Sequence, residues 1–468
     1  MDDNPTSRPD GFIVSGRLRG EAWGNKASGQ PQLKLFCDPA AAQFIASGAS
    51  LQPTVSAPSI NDVIKEILSF CEFGKQTKEI ETVAATLKGE EMRVRTFVNE
   101  FWTKKQRAAN SLHEISYHAC FKPQLPRFFI ERLTGTGDVV YDPFMGRGTT
   151  LLEAGFLARN PVGCDINPLS ILLCRPRFSP PTLQTVARRL REIDFTDADE
   201  LPEELLVFYH RATLREICAL RKYLLRRRAS GELDALDEWI WMVALHTLTG
   251  HSRGFFSVYT MPPNMAVSVQ RQKKLNAKRD LTPPRRHVAM IIAGKTRELL
   301  ADCDDETRAV LAAARERVRL FTRPAADTPE ITSSSISLVV TSPPFLNVVD
   351  YASDNWLRCW FIGVDSKTVN LTMDKKLQDW QKSMIKVFLE LRRVLRPGGF
   401  VAFEVGEVRG GTVKLETATL PCGVAAGLRP EFVLIHDQNF TKTSNCWGQE
   451  NNVKGTNTNR IVLFRRPE

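Results

Sequence analysis

Ser342-Pro343-Pro344-Phe345 puts a hydroxyl, two prolines and an aromatic ring into four consecutive residues, directly after the apolar run Ile336–Val340 and Thr341. Proline fixes φ and carries no N–H. The Ser342 hydroxyl and the Pro343 carbonyl are therefore acceptors on a rigid turn, beside a ring on which a flat group can stack. A surface turn has the same composition; what sets this one apart is the buried strand that feeds it. About 190 residues earlier, Tyr141-Asp142-Pro143-Phe144-Met145-Gly146-Arg147-Gly148-Thr149-Thr150 offers a different chemistry. Backbone comes close to a ligand most easily where there is no Cβ, and Gly146 and Gly148 meet that need between a strand and a helix start. Asp165 ends the next β-rich run 23 residues after Asp142, about the separation at which an acid meets ribose hydroxyls in nucleotide-binding βαβ units, and Asn167 follows it. The pattern is that of a loop wrapping a nucleoside-bearing cofactor. A dinucleotide turn wants a further glycine at position 151, which is Leu151, so a nicotinamide cofactor is disfavoured.

The two stretches resemble motifs I and IV of the DNA amino-methyltransferases. Tyr117-His118-Ala119-Cys120-Phe121-Lys122-Pro123 resembles motif X of the same enzymes, with Lys122 and Pro123 as its useful residues. The resemblance covers roughly 113–175 and 336–465, in the order X, I, long insertion, IV, which is similar to the α arrangement of that family. It implies an α/β, Rossmann-like class I methyltransferase fold, with a mostly parallel seven-stranded sheet and a largely helical insertion. It also implies S-adenosyl-L-methionine as cofactor and no metal. Asp142 would then accept from the methionine ammonium group, Phe144 would pack on an apolar face of the ligand, and Pro143, Gly146, Gly148, Thr149, Asp165 and Asn167 would complete the cofactor site. Ser342, Pro343, Pro344 and Phe345 would hold an exocyclic base nitrogen for methylation, with Phe345 stacking on a base that has left the duplex. The family more often has Tyr at the Phe345 position, so an aromatic face is kept and a hydroxyl lost. Ser342, where adenine-N6 enzymes usually carry Asp or Asn, leans toward cytosine N4, with adenine N6 as the alternative on the same fold and an RNA methyltransferase further off. Asn347, Asp350 and Tyr351 are candidates for the base pocket, helix capping being an equal reading of Asp350. Asp327 is the nearest acid for motif III, in a poorly fitting Pro324-Ala325-Ala326 context. Pro421-Cys422 matches the cytosine-C5 nucleophile pair, but its order along the chain is wrong, and Cys422 is read as a loop residue.

These residues need elements to hold them. Val139–Tyr141, the glycine turn, a helix over 149–158 and a strand over Val162–Asp165 form a βαβ unit, which demands a parallel sheet. Leu377, Trp380, Met384, Val387, Phe388, Leu391 and Val394 predict one long amphipathic helix. A strand over Phe400–Val405 follows, and Glu431–His436 with Arg460–Arg465 predict a closing antiparallel pair around a polar loop, 439–459. Five segments result: a flexible arm 1–57 without periodicity; a helical segment 58–112, from the spacing of Val63, Ile64, Ile67, Leu68 and Cys71; core 113–175; a mainly helical basic insertion 176–330; and core 331–468.

At 468 residues and 43% hydrophobic, the chain is long enough for a large α/β domain plus a second lobe. The apolar run Trp239–Leu248 is too short to span a bilayer. No leader pattern opens the chain, and its ten cysteines form no Cys-x-x-Cys pair, so a reduced, cytoplasmic protein is expected. The net charge of +10 is concentrated: residues 251–300 hold ten basic side chains against two acidic ones. Arg253, Arg271, Lys273, Lys274, Lys278, Arg279, Arg285 and Arg286 are the candidate DNA-binding residues in this insertion, a soluble basic surface being the plainer reading. Double-stranded DNA is the expected partner, with a cognate restriction endonuclease or other defence-system partner implied by the resemblance and no membrane involved.

Overall fold

The computed structural model describes residues 59–102, 109–118, 120–261, 266–346, 351–369, 374, 376–408, 412–437 and 458–468. The arm 1–57, Asn347, Asp350 and nearly all of the polar loop 439–459 lie outside the described residues.

Helix α1 (Ile60–Ser69) starts at Ser59, whose side chain accepts from Asp62 N, and it buries Val63, Ile64 and Ile67. The helical pattern ends there. Residues expected to continue it form a hairpin of β1 (Lys78–Ala85) and β2 (Glu91–Asn99), paired antiparallel. The reason is a change of period from 3.6 to 2: Thr82 and Thr96 face inward and share a 2.7 Å hydrogen bond, whereas Glu79 and Glu81 face outward against Arg95 and Arg93. Gly89, at φ 86°, closes the turn between the strands.

Helix α2 (Gln124–Leu133) leads to β3 (Val139–Asp142), α3 (Thr149–Phe156), β4 (Asn160–Asp165) and α4 (Leu169–Cys174). Six helices follow: α5 (Leu183–Glu192), α6 (Arg211–Ala229), α7 (Ala235–Thr247), α8 (Val269–Arg279), α9 (Val288–Leu299) and α10 (Asp305–Arg315). The chain then returns to the sheet with β5 (Arg319–Thr322) and β6 (Ile336–Thr341). It continues through α11 (Tyr351–Ile362), α12 (Leu377–Val394), β7 (Leu395–Val405), the short pair β8 (Glu407–Val408) and β9 (Val413–Lys414), α13 (Leu415–Ala425), β10 (Arg429–Asp437) and β11 (Thr458–Arg465). Cys422 lies buried inside α13, not in a loop.

The main sheet is nine-stranded and mixed, in the order β1-β2-β10-β11-β7-β6-β3-β4-β5. This corrects the expectation of seven mostly parallel strands. The run β7-β6-β3-β4-β5 is parallel throughout, β11 is antiparallel to both neighbours, and β2 joins β10 in parallel at the far end. The hairpin thereby covers the edge that β10 would otherwise present. All six residues of β6 are buried, as both faces of a parallel sheet must be. Val140, Leu338 and Val340 pack with α1 and α2, whereas Tyr141 and Val339 pack with α12 and α13. The insertion packs around α7, whose residues from Asp237 to Thr247 are all buried, in one core shared with α3, α4 and β5. Among the described residues no helix is long and apolar enough to cross a membrane.

Candidate active site

Three neighbouring parallel strands end at one edge of the sheet with Asp165 (β4), Asp142 (β3) and Thr341 (β6), and Ser342 follows at once. In open α/β sheets that edge is where ligands bind. A cavity of about 390 Å³ opens there, lined both by the glycine turn and by the Ser-Pro-Pro-Phe turn. The two stretches, remote in the chain, share one cleft.

On the glycine side, Asp142, Pro143, Phe144, Gly146, Thr149, Asp165 and Asn167 line the cavity. Gly146 and Gly148 hold φ of 48° and 75°, in the left-handed region. A Cβ on Gly148 would also sit 2.4 Å from Cys174 Sγ, so its glycine serves packing behind the loop, and Gly148 does not line the cavity. Asp165 accepts from Gly146 N at 2.9 Å and from Asn167 N at 2.8 Å. Each oxygen keeps a further lone pair for a ligand. Burial raises the Asp165 pKa against those hydrogen bonds. Asp142 accepts from Thr341 Oγ1 at 2.6 Å and Phe144 N at 3.1 Å, and burial pushes its carboxyl up to about 7. A ligand cation beside it would restore the ionised form.

Lys122 and Pro123 are not brought to this cavity. Pro123 precedes α2 and faces a second cavity beside Glu153, and the Lys122 carbonyl accepts from Leu125 N at 3.0 Å. From the same stretch Tyr117, Cys120 and Phe121 line the site instead. Arg147 was also missed. Its guanidinium donates to the His113 and Ile115 carbonyls at 2.9 and 2.7 Å, tying the glycine turn to the segment that carries Tyr117.

On the other wall, Ser342, Pro344 and Phe345 line the cavity, whereas Pro343 is buried behind it. Trp380 Nε1 donates to the Pro344 carbonyl at 3.0 Å and fixes the turn onto α12. Trp380, Met384 and Val387 form an apolar wall, and Pro324, Ala325 and Ala326 form another. The stripe on α12 was legible as core; that its first turns face a ligand site was not, because core and ligand faces ask for the same side chains. Asp327 is not among the lining residues, although the three residues before it are.

The basic residues of the insertion divide. Arg271, Lys273, Lys274, Lys278 and Arg279 are exposed on α8, whose inner side is fixed by Gln272 bonding the Tyr259 carbonyl at 3.0 Å. The Arg279 guanidinium lies 4.6 Å from the centre of the Tyr259 ring. Arg253 is exposed in the loop after α7. Arg285 is spent on Glu216 at 2.6 Å, and Arg286 is half-buried, with its N–H bonded to Thr213 Oγ1. The lead-in to α8 rests on α11: Ala266 N donates to the Asp354 carbonyl at 2.9 Å, and Trp356 Nε1 to the Val267 carbonyl at 3.3 Å.

Residues 50–172, about a quarter of the chain, match the sequence profile of a family described as DNA methylase. This span holds the hairpin, the glycine turn and both acids. The chain is similar over parts of its length to type II DNA methyltransferases. It is 34% identical over 77 residues to the type II methyltransferase M.MjaII of Methanocaldococcus jannaschii, a match covering 16% of this chain and 14% of that protein. It is 23% identical over 346 residues to M.BsoBI of Geobacillus stearothermophilus, covering 64% of each. With M.MvaI of Kocuria varians it shares 31% over 97 residues, 20% of each chain. These matches span less than two thirds of each of the three methyltransferases. The crystal structure of TrmN from Thermus thermophilus is 10% identical, covers 76% of this chain and 51% of that one, and superposes with a TM-score of 0.29, too distant a likeness to support an inference.

Proposed function

We propose that the chain is an S-adenosyl-L-methionine-dependent DNA methyltransferase acting on the exocyclic N4 of cytosine. The observation that carries this is the single cavity shared by the Gly146 turn and the Ser342 turn. Its volume lies within the range of small-molecule sites, and its acceptors and apolar walls suit the cofactor. Asp165 has lone pairs for ribose hydroxyls, Asp142 offers a carboxylate for the ammonium group, and Phe144, Ala325 and Val387 offer apolar walls for the purine. When bound, the cofactor supplies an electrophilic methyl group on a sulfonium.

An exocyclic amine is a poor nucleophile because its lone pair is delocalised into the ring. Acceptors beside it hold its protons and favour a pyramidal nitrogen. Ser342 Oγ is the acceptor that lines the cavity in this reading, the Pro343 carbonyl lying behind it, and Phe345 stacks on the flipped base. Their contribution is positioning and electrostatics rather than a covalent intermediate. The Pro344 carbonyl bond to Trp380 favours a pre-set turn. Serine rather than Asp or Asn at position 342 supports cytosine N4 over adenine N6. The exposed face of α8 supports phosphate contacts along the duplex. The experiment is incubation with methyl-labelled cofactor and, in parallel, DNA, RNA and protein. Label in DNA supports the reading, and label in RNA or protein alone overturns it.

A further inference from the structure

The Ser342 hydroxyl also touches a group outside the cavity. Strands β6 and β7 run parallel with Thr341 level with Phe403, which brings Ser342 beside Glu404 at the same end of the sheet. The Ser342 side chain lies within reach of the Glu404 carboxylate, a contact that favours the charged form of that group. From the opposite side Asn459 Nδ2, at the start of β11, donates to Glu404 Oε1 at 2.9 Å. Glu404 is 4% exposed. The nearby charges are engaged elsewhere: Arg460 pairs with Glu407 and Glu416, and Asp142 is bonded to Thr341. A carboxyl group this far from water is costly to bury unless partners or a proton offset it.

Resting on the amine methylation proposed above, we propose that Glu404 is the positioning residue of Ser342 and the acceptor of its proton. The Ser342 O–H points at Glu404, which leaves an Oγ lone pair facing the amine. As the amine nitrogen forms its bond to the methyl carbon, the broken C–S pair stays on sulfur and the nitrogen gains a positive charge. Its surplus proton passes to Ser342 Oγ while the serine proton passes to Glu404. The methylated base and the serine end neutral, and the carboxylate ends as a carboxylic acid. Burial pushes the Glu404 carboxyl up to about 7, against hydrogen bonds from Ser342 and Asn459. That suits a proton acceptor working near neutral pH.

The test uses the full chain with Glu404→Gln and Glu404→Asp, and measures single-turnover methylation at saturating cofactor from pH 5.5 to 9. Saturation removes the contribution of Asp142, whose titration bears on cofactor affinity. The wild-type rate is expected to fall as pH drops through about 7, as the carboxylate is consumed. Glu404→Gln should lower the rate by about 100-fold and lose that limb, with cofactor affinity by calorimetry unchanged, and Glu404→Asp should restore part of both. A Gln variant that keeps its rate and its limb overturns the proposal while leaving the methyltransferase reading intact. A second readout needs no activity: carbon-13 carboxyl NMR of the resting protein should show Glu404 titrating near 7, and higher in Ser342→Ala, where one hydrogen bond to the charged form is gone. Titration in the ordinary glutamate range, or no response to Ser342→Ala, removes the proton link even if the wild-type chain methylates nothing.

Discussion

Thr341 Oγ1 donates to Asp142 Oδ1 at 2.6 Å, joining residues 199 apart in the chain. Each neighbours a functional turn: Asp142 starts the glycine loop, and Thr341 precedes Ser342. One buried hydrogen bond thus ties the strand end that carries the glycine turn to the strand end that carries the Ser-Pro-Pro-Phe turn. Thr341→Val keeps the shape and removes the donor. Loss of a partner to a buried polar group costs about 1–3 kcal/mol, so the variant should unfold at lower denaturant, with cofactor affinity and turnover both reduced. Wild-type stability in that variant would show that the bond is incidental.

Asp142 and Glu404 both have folded carboxyl groups raised to about 7 by burial. A folded pKa above the unfolded value means the native state binds the proton more tightly. Their stabilising contribution is present below about pH 4, the ordinary carboxylate range, and is lost as pH rises through 7. Denaturant midpoints measured from pH 4 to 8 should therefore decline less in Asp142→Asn and Glu404→Gln than in the wild type. Parallel curves would contradict the assigned burial effect.

Asp165 and Ser342 line the same cavity but should fail differently. Asp165→Ala removes the acceptor from Gly146 N and from the ligand, so cofactor affinity should weaken at least about tenfold, read by calorimetry. Ser342→Ala should lower turnover by roughly 100-fold and leave cofactor affinity near wild type. Equal losses in both parameters for Ser342→Ala would point to a structural role.

The exposed lysines of α8 should contribute charge without base selectivity. Lys273→Ala, Lys274→Ala and Lys278→Ala should each weaken duplex binding alike across sequences and lower the salt slope by about one. Arg285→Ala, which loses its pair with Glu216, should leave the slope unchanged. A shallower slope in Arg285→Ala, or none in the lysine variants, would relocate the interface.

Much of the site was legible because its backbone demands are strict. Gly146 needs a left-handed φ, and the strand-to-acid pattern at Asp142 and Asp165 has few structural alternatives. The helix from Leu377 to Val394 was equally plain from its 3.6-residue stripe. Where two demands share one residue type, the sequence was silent. Trp380 and Val387 read as core yet line the cavity, and Tyr117, Cys120 and Phe121 line it where Lys122 does not. The hairpin was missed because charged residues alternate on its outer face, so its apolar content stayed below that of a central strand. Glu404 carried no local motif; only the register of β7 against β6 brings it to Ser342.

The central claim is that the Gly146 and Ser342 turns converge to methylate the amine of a cytosine in DNA. The most direct measurement is mass spectrometry of nucleosides from DNA incubated with the chain and deuterium-methyl S-adenosyl-L-methionine. The account predicts labelled N4-methylcytosine, lost in Ser342→Ala. Labelled N6-methyladenine would contradict the choice of base, and no labelled nucleoside in any duplex would contradict the claim itself.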